Sequence, residues 1–512
     1  MGHKTLTLNL PTDYGEDDLR GRIARELKIR DFSYQKERQS LDARKKDRIH
    51  WKVRVCVLSE EIRGGDPMVT PSLDIPYRKR NRKAVVVGSG PAGFFSAFVL
   101  QRAGFDTRLI ERGSDVQERA ERIRAFEEKG LFSATGNYAF GEGGAGTFSD
   151  GKLTSRSKHS EEEKRFIIAS YIEAGAPEEI GFMAHPHLGS DRLRKIVANL
   201  RAAFLRLGGV VFFETFLEDL KIKKGRVIEA VTTRGEMEAD HFVMAPGHSA
   251  YETYRMLIRR GVTFRTKSFA IGCRLEHPQE LINRMQWGRE SLPGVKAAEY
   301  RLTSKGDGIH PVYTFCMCPG GNVVQASPYE KASIVNGMSR YRRNGRYANA
   351  ACVAGVSPAQ LIGAESTPLQ ALDWLESLEE SFYRYSKGFA LPFCRVNDFI
   401  DKREPSGTAE SSYPLGLKPA ALWDLLPREV SGSIREGLKS FKKRMKGFET
   451  GNMMGLESKT SSLVRVEREE NSLCKGFENL YVVGEGSGCA GGILSSGADG
   501  IRAALSIIAR EA

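Results

Sequence analysis

The hydrophobic pattern of the chain changes character several times, and each change marks a different element. Residues 84–87 form a short unbroken apolar run, the mark of a strand buried on both faces in a parallel sheet. Residues 107–110, 240–245 and 480–483 supply further strands of that kind. Between them the spacing becomes helical. A helix is predicted from Pro91, with Gly104 just past its end, and a polar one over 115–129, capped by Ser114 and stopped by Gly130. A third, capped by Ser190 or Asp191, puts Leu193, Ile196, Val197, Leu200 and Phe204 on one stripe before Gly208. Residues 210–245 read as four strand-like pieces. Residues 263–446 have another texture, with strands over 269–275, 312–318 and 322–326 and a helix from Pro368 that turns Leu369, Leu372, Leu375, Leu378 and Phe382 inward.

Ahead of the first apolar run, residues 4–10, 32–36 and 49–58 read as strands and 17–27 as a short helix. A breaker-rich stretch from Arg63 to Arg82, with Gly64, Gly65, Pro67, Pro71 and Pro76, reads as a linker. The expected fold class is therefore α/β: a Rossmann-like FAD-binding domain with an inserted α+β substrate domain and a small N-terminal α/β module. The predicted boundaries are 1–83 for the module and linker, 84–262 and 447–512 for the two parts of the cofactor domain, and 263–446 for the insertion.

The cofactor expectation comes from glycine placement. Gly88, Gly90 and Gly93 spell G-x-G-x-x-G between strand and helix: one for the tight turn, one for close approach to a pyrophosphate, one for helix–strand packing. Pro91 and Ala92 open the helix, whose free N–H groups face the phosphates. Glu111 follows the next strand, 23 residues after Gly88, where an acid meets an unphosphorylated ribose, so FAD or NAD is favoured over NADP.

Two further G-x-G-x-x-G runs do not repeat that unit. Gly141, Gly143 and Gly146 lack a preceding strand and a following helix, so residues 137–153 are expected as a loop against the cofactor, with Gly144, Gly146, Thr147, Asp150, Gly151 and Lys152 in contact. Gly486, Gly488 and Gly491 have only 21 residues after them, too few for a second ribose site. They read as the return strand and last helix of the first domain, with Gly491 and Gly492 at a helix N-terminus facing a partly negative flavin edge.

Composition narrows the class. The 512 residues are 40% apolar, as in ordinary globular enzymes, and the eight cysteines form no C-x-x-C framework or zinc spacing. Reduced thiols in the cytoplasm are expected, with no signal peptide, no membrane span and no metal. The net charge is +13, and residues 1–83 hold 20 Lys and Arg against 13 Asp and Glu. The turn Asp42–Arg48 alone would project four basic side chains. Mixed signs and the lack of a nucleic-acid motif favour a solvated surface over an RNA site.

Taken as a set, VVVGSGPAGFFSAFVL with LIER, FGEGGAGTFSDGKL, FVMAPGHSA, YTFCMCPGG, LESKTSSLVRV and YVVGEGSGCAGGILSSGADGI resemble the largely bacterial family of FAD-dependent dehydrogenases over nearly the whole chain. That family is related in fold to fumarate-reductase-like and geranylgeranyl-reductase-like flavoproteins. The resemblance implies FAD, held at the pyrophosphate by Gly88, Gly90, Pro91, Ala92 and Gly93 and at the adenosine ribose by Glu111 with Arg112 beside it. It further implies main-chain contact to adenine from Phe216, an Ala245–Gly247 turn, and a flavin site of Gly484, Glu485, Ala490, Gly491, Gly492 and Ile493. Pro246 stands where the wider group often has Thr, and Glu485 where Asp is commoner.

No nucleophile elbow or H-E-x-x-H motif is present, and a flavin needs none. Candidate acid, base or redox residues are His187, with His185 near it, His248, and Cys316 with Cys318 on one strand face. Structural roles for the histidines and core packing for the cysteines are the competing readings. The expected activity is hydride transfer between an organic substrate or NAD(P)H, a transient donor, and FAD. The alternatives are a flavoprotein that binds RNA through its N-terminal module and a non-catalytic FAD-binding sensor.

Overall fold

A computed structural model describes residues 2–65, 73–154 and 160–511. Pro67 and Pro71 of the expected linker lie outside the described residues. The central element is a five-stranded, all-parallel sheet in the order Leu480–Val482, His241–Met244, Lys83–Val87, Asp106–Ile110, Val210–Phe212. Its strands are buried on both faces because alternate side chains enter two different cores. Ala84, Val86, Val243 and Tyr481 pack under the helices, while Val85, Phe242, Met244, Leu480 and Val482 pack on the other side.

On the helical face, Pro91–Arg102 and the final helix Ile493–Arg510 lie side by side. Their approach is possible only through glycine: a Cβ on Gly500 would stand 2.0 Å from the Ala92 carbonyl oxygen, and one on Gly497 2.7 Å from Ile167.

The insertion is built on a seven-stranded sheet in the order Thr303–Ser304, Val312–Cys318, Tyr347–Val356, Phe269–Pro278, Asn452–Glu457, Leu391–Arg395, Leu417–Pro419. All its pairs are antiparallel except the last. This moves the boundary expected at 447. Asn452–Glu457 is a central strand of the inserted sheet, and Val464–Val466 pairs with Phe264–Thr266 beside the crossing point, so the chain re-enters the cofactor domain only after that pair. The N-terminal module is a three-stranded antiparallel sheet, Gly2–Leu10, His50–Ser59, Ser33–Asp42, under the helix Glu16–Leu27. Main-chain bonds from Gln39 to Phe182 and Ala184 dock it on the cofactor domain. Its basic turn does not project all four cations freely, because Arg44 folds back on Asp42 at 2.9 Å.

Local corrections follow from caps and burial. The helix after the first βαβ unit is Val116–Lys129, and its cap is Asp115, which accepts from Gln117 and Glu118 N–H, not Ser114. The helix expected after Ser190 or Asp191 begins at Gly189, so both residues lie inside its first turn and no side chain caps it. Residues 210–244 hold five strands, because Leu217–Lys223, Arg226–Thr232 and Gly235–Glu238 form a separate meander. In Pro368–Ser386, Leu369 and Leu378 are half-buried, and Glu379 takes a fully buried place on the inner stripe.

Gly500→Ala is expected to destabilise the protein by about 1–3 kcal/mol through overpacking at Ala92. Gly432→Ala, also helical but facing open space, should stabilise by about 0.5–1 kcal/mol. Urea unfolding of both variants checks the opposite signs.

Candidate cofactor and active site

The three glycines of the first turn do different work. A Cβ on Gly88, at φ +96°, would lie 2.3 Å from the Ala245 carbonyl oxygen, and one on Gly93 1.8 Å from that of Gly88. Both positions are closed by packing. Gly90 is open: a Cβ there would meet nothing nearer than Gly144 Cα at 3.7 Å. It is also the N-cap of the Pro91 helix and offers no side chain to the free N–H groups, which leaves them for an anion.

Residues 141–144 lie over this end, with Gly141, Gly143 and Gly144 all at positive φ. What shapes that loop is Arg119, which sequence reasoning missed. Its fully buried guanidinium donates to the carbonyls of Asn137, Tyr138, Gly141, Glu142 and Gly144 at 2.8 to 3.2 Å. Burial pushes it down to about 10, so it still carries its charge at neutral pH. Thr147 is buried and donates to the Glu142 carbonyl, and Gly146 abuts Ile493.

A second open helix end stands beside the first. Gly492, at φ +76°, is the uncapped N-cap of Ile493–Arg510; Gly491 and Gly492 are exposed and Ala490 is half-buried. The turn before it is held from behind, where Asp499 accepts from Gly484 N–H at 2.8 Å and pairs with Arg468 at 2.7 Å. Burial drives the Glu485 carboxyl up to about 7; Cys316 adds to the rise, and Lys267 and Lys459 oppose it.

Several expected contacts are placed differently. The Glu111 carboxylate accepts from Ser89 N–H and hydroxyl and from the N–H groups of Gly113 and Gly141, so it ties three turns together at the strand ends. Arg112 pairs with Glu252 at 2.8 Å and stacks on Phe140 and Phe216. Phe216 is held in a hairpin: its N–H donates to the Thr233 hydroxyl and its carbonyl accepts from Thr233 N–H, which leaves a carbonyl lone pair for adenine. Asp150 and Lys152 are tied into a buried charge cluster with Arg343. Burial alone would raise Asp150, but Lys152 at 2.9 Å and Arg343 at 2.5 Å hold it well below the carboxylate range. Lys152 Nζ also donates to the Met317 carbonyl. Gly151 faces Leu193. Ala245 seals the cradle, and a Cβ on Gly247, at φ +68°, would face open space.

Among the catalytic candidates, His185 is exposed on the surface and His187 stacks on Tyr341 with Nε2 3.0 Å from that residue's carbonyl. Burial and the Arg343 charge hold His187 down at about 4. His248 reaches the flavin side, with Nε2 3.8 Å from Glu485, and burial plus Lys459 hold it at about 3, so it is neutral. Cys316 and Cys318 share the sheet face that carries Arg274 and Asn349. Two buried charge clusters were not foreseen: Arg274 with Glu457 at 2.9 Å, and Lys459 with Glu379 at 2.8 Å, the latter joined by Tyr251 and Ser458.

Comparison with known proteins bears on this geometry. Residues 268–460 match the model of the FAD-dependent protein family, C-terminal domain-like, and residues 81–128 match an FAD binding domain. A protein of Clostridium beijerinckii described as "Uncharacterized protein" is 38% identical over 495 residues, covering 92% of this chain and 91% of its own. The chain belongs to this FAD-dependent protein family. Solved structures with a distant likeness include glycine oxidase from Bacillus cereus (10% identity, 84% of this chain and 96% of that one, TM-score 0.33). Another is E. coli quinol fumarate reductase (12%, 84% and 70%, TM-score 0.37). The flavin-dependent brominase Bmp2 is a third (12%, 84% and 79%, TM-score 0.38).

FAD is therefore the cofactor of this flavoprotein, and the residues fit it. A cradle without side chains and two uncapped helix ends on one edge suit a diphosphate and a flavin ring. Gly90 and Pro91 with Gly144 would hold the former, Ala490 to Ile493 the latter.

Because a Cβ on Gly90 strains nothing, Gly90→Ala should fold normally and purify with most of its flavin absorbance lost. The Glu485 carboxyl has its own signature. Between the unfolded value of 4.5 and about 7 the folded chain holds an extra proton there, so stability falls as pH rises through that window, by up to about 1.4 kcal/mol per pH unit. Urea midpoints of the flavin-free protein between pH 5 and 7 should fall less steeply in Glu485→Gln. Some slope should remain, since burial also raises Glu142 and Glu457 to about 7.

Proposed function

We propose that the protein is an oxidoreductase of the dehydrogenase type, in which hydride passes between an organic substrate or NAD(P)H and FAD. The observation that supports the reading is the uncapped Ile493 helix end with the Glu485 carboxyl beside Gly491, poised near neutral pH. FAD, when bound, supplies an acceptor ring for two electrons. What the chain has to supply is position, exclusion of water and a place for protons. The helix end favours negative charge at the spot it faces. Glu485 holds or releases a proton near neutrality, a role that His187 and His248, both held neutral well below it, do not share.

A substrate has room on the insertion. A cleft of about 580 Å³ is lined by Phe269, Pro311, Tyr313, Gly355, Ser357 and Ser461, a mixed apolar and hydroxyl wall suited to a small organic molecule. NAD(P)H would dock as a transient donor without a nucleotide fold of its own, since among the described residues one parallel sheet carries one βαβ cradle. All eight cysteines are free thiols, which supports a reducing compartment, and no helix among the described residues is long and apolar enough to cross a membrane.

Anaerobic stopped-flow mixing of the holoprotein with NADH, NADPH and a panel of reduced metabolites tests the reading. Bleaching of the flavin by at least one of them is expected. A flavin that none of them reduces would favour the sensor reading instead.

A further inference from the structure

The inserted sheet carries a second chemical site, built by a defect in one strand. Along Val312–Cys318 the alternation puts Val312 in the large core and Tyr313 on the opposite face. Continued unbroken, it would send Cys316 and Cys318 into the core with Val312 and leave Met317 outside. A bulge reverses this. The register against Tyr347–Val356 steps from Phe315 opposite Ala351 to Cys318 opposite Asn349, and Cys316 adopts φ +43°. Met317 then enters the core, and the two cysteines emerge on the face of Tyr313 with Asn349 and Arg274. A left-handed conformation at a non-glycine residue costs free energy, and such strain collects at functional positions.

The surroundings are those of a thiolate. Arg274 donates through Nη2 to the Cys316 carbonyl at 2.7 Å and to Cys318 Sγ at 3.5 Å. Lys152 is fixed to the Met317 carbonyl between them. The Cys318 thiol donates to the Cys316 carbonyl oxygen at 3.4 Å. The neighbouring Cys318 thiol, with Lys152 and Arg274, outweighs burial and holds Cys316 below the ordinary thiol range, while Cys318 is pushed up. Core packing does the opposite, as at Cys352 and Cys474, where burial pushes the thiol up to about 12. The pair is also asymmetric in access, with Cys316 half-buried and Cys318 fully buried. A reachable thiolate backed by a protonated neighbour is the arrangement of an attacking and a resolving sulfur.

We propose that Cys316 and Cys318 are a redox-active dithiol that reduces a low-molecular-weight disulfide beside the flavin site. The Cys316 thiolate attacks one sulfur of the disulfide, forming a mixed disulfide and expelling the other half as a thiolate. Cys318 gives its proton to that leaving thiolate and attacks the Cys316 sulfur, closing a Cys316–Cys318 bond and releasing the second half as a thiolate. The substrate gains the two electrons that the dithiol loses. Cys316 is half-buried, which suits a small disulfide better than a protein one. Return of the pair to dithiol takes two electrons and a proton, the quantity a reduced flavin delivers, and only this return rests on the reading of the preceding subsection. Its proximity is marked by the influence of Cys316 on Glu485.

The test equilibrates the full-length holoprotein in a series of oxidised and reduced glutathione buffers, quenches by alkylation, and reads intact mass and the peptide containing both cysteines. Expected are reversible loss of two alkylatable thiols confined to Cys316 and Cys318, and alkylation of Cys316 at pH 6 about tenfold or more faster than the exposed Cys489. Cys318→Ser should hold one glutathione on Cys316, and Cys316→Ser none. Thiols that stay alkylatable across the series in the unmutated protein, with Cys316 no faster than Cys489, overturn the proposal without any variant having to fold. Flavin absorbance after NADH or NADPH addition to the same samples separates the two readings. Bleaching beside an inert pair removes only the dithiol, and a reversible pair beside an unreducible flavin removes only the hydride reading.

Discussion

The close crossing of two helices at Gly500 and Ala92 is the constraint on which the site depends. Main-chain contact at that point sets the Pro91 and Ile493 helices side by side on one face of the parallel sheet. Both begin at the strand ends and both have glycine at the cap, so two sets of unsatisfied N–H groups emerge on the same edge. A bulkier residue at Gly93, Gly484, Gly497 or Gly500 would push the elements apart before it changed any chemistry, because each would-be Cβ meets atoms at 2.7 Å or less. The cofactor's two polar ends are thus addressed by one packing decision.

The edge is then closed by buried charge. Arg119 gathers five loop carbonyls into one guanidinium, which replaces the main-chain partners that a glycine-rich segment in no regular element lacks. Asp150, at the far end of the same loop, binds Arg343 of the insertion, so the loop that covers the cradle is also the hinge plate between the two domains. Glu111 performs the same service with a carboxylate, accepting from three turns at once. Fold and site are therefore one network, held by pairs that cost desolvation and return it only if complete.

How much of this was legible in the sequence depended on whether the signal was local. The glycine turn, its strand and helix, and the last strand–helix pair were legible because each is specified by neighbours within a few residues. The inner ends of charged side chains were not. Arg119 sits on the stripe Val116, Arg119, Ile123, Phe126, and Glu379 on Leu372, Leu375, Glu379, Phe382. In both cases a charge occupies an inward helical position, and the rule that charges face water hid a signal that the spacing itself carried. The state of Phe216 was hidden for another reason: its N–H is taken by Thr233, seventeen residues on across a hairpin. The boundary at 447 failed likewise, since Asn452–Glu457 is short and its pairing partners lie in segments far from it in sequence.

The polar face of the inserted sheet is where stability and chemistry pull apart. Replacing Arg274, Glu457 and Asn349 with apolar residues of similar volume would remove the desolvation cost of a fully buried ion pair, and such exchanges are often neutral or stabilising. Breaking the pair on one side only would strand a buried charge and cost more. What the intact arrangement adds is direction. Arg274 reaches Glu457, Asn349, the Cys316 carbonyl and Cys318 Sγ with one rigid fork, so the bulge that turns both cysteines outward is held from below by the group that favours a thiolate above. A sheet selected only for stability would have no bulge there, and Met317 would lie on the other face. The retained defect, the strained φ at Cys316 and the buried cation beneath it are thus one feature, and its effect is to favour negative charge on sulfur on this face of the inserted sheet.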